Sequence, residues 1–78
     1  MAKVQIIQAK SSNNNVYLIH KFDDGNNKSS FDTYKLVQNK QAVRDFGIPN
    51  KNENGVEENS RTMCERMVEK IKLENLYL

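Results

Sequence analysis

The run from Val16 to Val37 limits the fold of this chain most: "VYLIHKF" and "FDTYKLV" flank a polar "DDGNNKSS". β-Branched and aromatic residues dominate both flanks, as pleated, half-buried segments require. Between them, Asp24-Gly25 is a dipeptide that accepts the positive φ angles of a two-residue hairpin turn. "KVQIIQAK", residues 3–10, has the same β-branched character and is separated from Val16 by the breaker "SSNNN". Three strands joined by such short polar gaps form an antiparallel meander.

Hairpin arithmetic assigns the faces. A turn at Asp24-Gly25 sets Leu18 opposite Phe31 and Val16 opposite Thr33, and directly opposite residues share a face. One face then holds Val16, Leu18, His20, Phe22 and Phe31; the other holds Tyr17, Ile19, Lys21, Asp32, Tyr34 and Leu36. On the first strand Val4 and Ile6 share one side, while Ile7 and Ala9 share the other. The Val16/Leu18/Phe22/Phe31 face is the more apolar and is expected to form the core.

The C-terminal half reads as helical. A short helix is expected over Lys40 to Phe46, with Asn39 as N-cap, Gly47 past its end and Pro49 confirming the stop. After the polar connector "NKNENG", a longer helix follows, with Asn54 or Ser60 as its cap. Glu57 and Glu58 would lie in its first turn and Lys70 and Lys72 in its last, which complements the helix dipole. Cys64, Met67, Val68 and Ile71 recur at helical spacing and form its apolar stripe. "LENLYL" extends this helix, leaves it as a tail, or folds over the second sheet face. The expectation is an α+β fold: a three-stranded antiparallel β-meander, a short helix, and a longer C-terminal helix packed on one sheet face.

With 78 residues, the chain is expected to be a single small globular domain, 1–78. So short a chain buries only about 60% of its unfolded surface, which disfavours a deep substrate cavity. The single cysteine, Cys64, excludes an internal disulfide framework and suits a reducing, cytoplasmic setting. No apolar stretch approaches the roughly 20 residues needed to span a bilayer, so no membrane association is expected.

Little in the chain suggests catalysis. His20 is the lone histidine and reads as a core-edge residue. No Cys-His or carboxylate spacing supports a metal. "DDGNN" opens like a calcium loop, but its twelfth position is Tyr34, where a glutamate is needed. No glycine-rich loop is present to cradle a phosphate. Cys64 lacks the basic, exposed setting of a reactive thiol. No cofactor, metal or enzymatic activity is expected.

Two features bear on nucleic acid. "QAVRDFGIPN", residues 41–50, reads like the first helix and turn of a helix-turn-helix unit. Its second helix would then be "NKNENGVEEN", with a turn dipeptide at its centre and acidic residues where phosphates would lie. Gly47 is therefore better read as a helix C-cap. Lys21, Lys28 and Lys35 along a three-stranded sheet match the layout of a sheet-based arm-binding domain, but Asp23, Asp24 and Asp32 oppose them. A net charge of +2 adds no argument for DNA and excludes an acidic DNA mimic.

There remains the second sheet face. Tyr17, Ile19 and Tyr34, rimmed by Lys21 and Lys28, make an aromatic patch of the kind that binds proteins; a homodimer would use the same surface. The expected function is that of a small non-enzymatic regulator or inhibitor that binds a macromolecule, above all a protein. The alternative is a small DNA-binding protein. Eleven asparagines point to an AT-rich gene and suit a phage- or mobile-element-encoded protein directed at a host machine.

Overall fold

The computed structural model describes residues 3–26 and 28–78. Strands β1 (Lys3–Lys10), β2 (Val16–Asp23) and β3 (Ser29–Phe31) form an antiparallel sheet in the order β1-β2-β3. A 3₁₀ turn at Thr33–Lys35 leads into helix α1 (Leu36–Asp45), and helix α2 (Ser60–Glu74) closes the fold. The expected α+β meander, with a short helix and then a longer one, is the architecture observed. Its faces are not the expected ones.

The register shows why. β1 pairs with β2 through Val4↔Phe22, Ile6↔His20, Ile7↔Ile19 and Ala9↔Tyr17. β2 pairs with β3 through Lys21↔Phe31 and Asp23↔Ser29, so the connection between them runs from Asp24 to Lys28. Five residues replace the expected two-residue turn. That odd difference moves every β3 side chain to the opposite face. Phe31 thus joins Tyr17, Ile19 and Lys21, and this side of the sheet receives the helices, with α1 against β2 and α2 against β3. Ile19 and Ala9 are wholly buried there, whereas Leu18 is 45% exposed and Val16 53% exposed. The face expected to be the core faces outward.

The third strand is also shorter than expected. Instead of running through "FDTYKLV", the chain leaves the sheet at Asp32, whose carboxylate accepts the Tyr34 amide at 2.9 Å and caps the 3₁₀ turn. α1 consequently starts at Leu36, well before Lys40, and Asn39 lies inside it as a buried residue instead of capping it. The Asn39 amide donates to the His20 carbonyl at 3.2 Å, occupying β2 backbone beyond the end of β3.

The end of α1 is as expected. Gly47 has φ +72°. Its amide bonds the Arg44 carbonyl and the Ile48 amide bonds the Val43 carbonyl, at 3.1 and 2.9 Å. These two bonds make a Schellman motif, with Val43 and Ile48 both buried as its apolar clasp. α2 is capped by Asn59, whose side chain accepts the Thr62 amide at 2.8 Å; neither Asn54 nor Ser60 has that role, and Glu57 and Glu58 precede the helix. The expected stripe is buried: Cys64, Met67, Val68 and Ile71, together with Met63, join Ile19, Phe31, Val43 and Phe46 in one core.

α2 ends at Asn75 in the left-handed conformation, φ 51°. The tail then turns back along β1. Leu76 accepts the Lys10 amide at 3.0 Å, the Leu78 amide donates to Gln8 at 3.1 Å, and Tyr77 sits opposite Ala9. Leu73 and Glu74 of "LENLYL" complete α2, and the last four residues leave it as a tail that extends the sheet at the β1 edge instead of folding over a face.

Candidate functional site

The nucleophilic and titratable groups come first. Cys64 is wholly buried, and desolvation pushes its thiol up to about 12, so it stays protonated and unreactive at neutral pH. His20 is half-buried on the outward sheet face, opposite Ile6. Among the described residues, no three His, Cys, Asp or Glu side chains cluster closely enough to hold a metal ion. No helix in the described residues is long and apolar enough to cross a membrane.

The expected partner-binding residues do not form one surface. Ile19 is at the centre of the core. Tyr17 is half-buried; its ring packs against Phe46 with centroids 5.9 Å apart, and its hydroxyl donates to Asp45 at 2.8 Å. Lys21 shares the helix-covered face, opposite Phe31. Lys28 is exposed in the β2–β3 connection. Tyr34, expected on a strand, stands 94% exposed on the 3₁₀ turn.

Nor does residues 41–50 begin a helix-turn-helix. After the Gly47 motif the chain stays irregular until Ser60. Lys51 pairs with Glu57 across a tight turn, where the Asn52 side chain accepts the Asn54 and Val56 amides at 2.9 and 3.0 Å. The turn dipeptide Asn54-Gly55 is used as a turn, and Gly55 takes φ +77°.

The most highly organised polar cluster is built around Asp45. The β1–β2 loop folds on itself, with the Ser11 hydroxyl accepting the Asn13 and Asn15 amides and Asn14 in the left-handed region at φ 65°. Asn13 and Asn15 then donate their side-chain amides to the Asp45 carboxylate, which also receives Tyr17. Hydrogen bonds from Asn15, Asn13 and Tyr17, in that order, hold the carboxyl well below the usual carboxylate range, and the bond to Asp45 raises the Tyr17 phenol. This cluster ties the end of α1 to the loop.

A pH dependence follows. Because the folded-state pKa is depressed, the stabilisation is complete above the unfolded value of about 3.9 and is lost as pH falls below it. Between about pH 5 and pH 2 the wild-type urea midpoint should therefore fall more steeply than that of Asp45→Asn. Parallel slopes for the two proteins would show that the Asn13/Asn15/Tyr17 bonds do not favour the ionised carboxylate.

The remaining surface is the outward side of the sheet. Val4, Ile6, Gln8 and Lys10 of β1 stand opposite Phe22, His20, Leu18 and Val16 of β2. Val4, Ile6, Val16 and Leu18 are between 45% and 59% exposed. At one end a groove of about 370 Å³ opens between Val4, Phe22, Ser30 and Tyr34. No protein family, curated protein or solved structure matches the chain. The surface must speak for itself.

Proposed function

We propose that this protein is a small non-enzymatic regulator or inhibitor, working in the cytoplasm, that acts by binding a protein through the outward face of its sheet. One observation carries the reading: a contiguous run of exposed Val4, Ile6, Val16 and Leu18 on the sheet face opposite α1 and α2. A small monomeric domain gains nothing from leaving such a patch in water, and patches of this kind mark interaction sites. Phe22 and Tyr34 border the adjoining groove and supply the aromatic anchors that dominate interface energies. The expected partner surface is thereby relocated from the Tyr17/Ile19 side to the opposite one, with Tyr34 retained at its rim.

Site-specific photo-crosslinking in cells tests this. A crosslinker at Leu18 should yield a discrete protein adduct, and one at the exposed loop residue Asn52 should not. Equal labelling at both positions would overturn the reading. Adducts to nucleic acid at Leu18 would favour the DNA-binding alternative.

A further inference from the structure

We infer that the occupant of the outward sheet face is a second copy of this chain, packed face to face as a two-sheet sandwich. The inference rests on reading that face as an interaction surface, and it goes further by naming the partner.

The chain's own tail is already accounted for. Leu76 to Leu78 lie along the edge of β1 and not across the face. α1 and α2 both pack on the other side of the sheet. Among the described residues nothing therefore covers Val4, Ile6, Val16 and Leu18 from within the chain.

Charge argues for self-association. Of the outward side chains on β1 and β2, only Lys10 is charged, and it stands at one corner, opposite Val16. Homodimer interfaces are more apolar than those between different proteins, and this face carries almost no charge. Its best complement is another flat apolar surface, and a second copy offers one. An in-plane two-fold axis, whether along or across the strands, carries Lys10 to a different corner from its counterpart. The two like charges are therefore kept apart. The polar groups Gln8 and His20 sit on a diagonal, and either axis brings Gln8 of one copy beside His20 of the other.

Geometry and area agree. Twisted sheets pack face to face with strand directions within about 30° of each other, and the interleaved side chains fill a core about 10 Å thick. Two eight-residue strands and the three-residue β3, at about 3.4 Å per residue and about 4.8 Å per strand, give a footprint of roughly 300 Å². With side-chain relief this becomes about 400 Å² per copy, or about 800 Å² in all, the size of a weak, transient interface. A weak, reversible dimer of roughly high-micromolar affinity is expected, in place of an obligate one.

Sedimentation velocity of the full chain between about 5 and 500 µM tests the inference, a range chosen to span that affinity. The mass should rise from 9.1 kDa towards twice that value. Ile6→Glu and Leu18→Lys, both on exposed positions, should remain monomeric throughout while keeping the wild-type circular dichroism and melting temperature. Val56→Glu, exposed in the distant loop, should dimerise like wild type. A wild type that stays monomeric at the highest concentration overturns the second-copy inference, as does a dimer that persists in both face variants. The broader reading is judged separately. A monomeric wild type with a Leu18 crosslink to another protein leaves the interaction face standing, whereas a monomeric wild type with no adduct at Leu18 removes both.

Discussion

Ile19→Ala should cost about 2–4 kcal/mol of folding stability, while Leu18→Ala, one residue earlier on the same strand, should cost about 1 kcal/mol or less. The contrast is sharp because the strand has a period of two. Ile19 is fully buried within the cluster that holds Met67 and Ile71, and truncating it leaves a cavity that neighbouring helices cannot fill. Leu18 is 45% exposed, so its truncation removes little burial and opens no cavity. A domain of this size has roughly 4–12 kcal/mol in all. Ile19→Ala therefore removes a large share and should lower the melting temperature by about 10–25 °C. Urea titrations at low micromolar concentration read the monomer and avoid any contribution from association through Leu18. If Leu18→Ala proved the more damaging of the two, the assignment of faces would be reversed.

That assignment is also where the sequence was hardest to read. The strands, the Asp24-Gly25 region as a connection, the Gly47 stop and the Cys64/Met67/Val68/Ile71 stripe were legible, because each rests on local chemistry. Which side of the sheet meets the helices depends on whether the β2–β3 connection has an even or odd number of residues. Gly25 does take a positive φ of 88°, as a turn glycine should. Yet the strands close at Asp23 and Ser29 and not around Asp24-Gly25. Total apolarity could not correct the error. Val16, Leu18 and Phe22 outweigh Tyr17, Ile19 and Lys21 by composition, although the second set is the one that faces the core.

Two further misreadings share a cause in polar residues that serve the interior. Asn39 is 1% exposed inside α1, and its presence broke what is otherwise a helical series of Leu36, Val43 and Phe46. Asparagine is also a preferred N-cap, and taking it as one places the helix start four residues too late. Tyr17 suited an exposed aromatic patch because its hydroxyl needs a partner, and Asp45 supplies that partner from within the fold. A signal for the earlier start of α1 was present in Asp32, an N-cap residue type immediately after the last strand residue. The misplaced face carried the interaction surface with it: both sides of the sheet hold aromatic and aliphatic residues, and only the register decides which side stays in water.

Removal of Asn75–Leu78 should be the second most damaging change, costing about 2–3 kcal/mol, although three of these four residues are exposed. Asn75 supplies the left-handed turn at φ 51°, and the Leu76 amide closes on the Ile71 carbonyl at 3.0 Å, giving α2 the same kind of stop that Gly47 gives α1. Leu76 is half-buried against the core, and its carbonyl receives the Lys10 amide. Each hydrogen bond contributes roughly 0.5–1.5 kcal/mol net, and partial burial of a leucine adds about 1 kcal/mol. Leu76→Ala should reproduce about half of the loss. Leu78→Ala should reproduce almost none, because that side chain is 65% exposed and only its backbone is engaged. Truncation also uncovers the β1 backbone from Gln8 to Lys10, an edge that can template pairing with other chains. The shortened protein should therefore aggregate on heating, whereas Leu76→Ala, which keeps the tail's backbone in place, should melt earlier yet refold. A truncated chain that melts like wild type would show that the tail contributes nothing to the sheet.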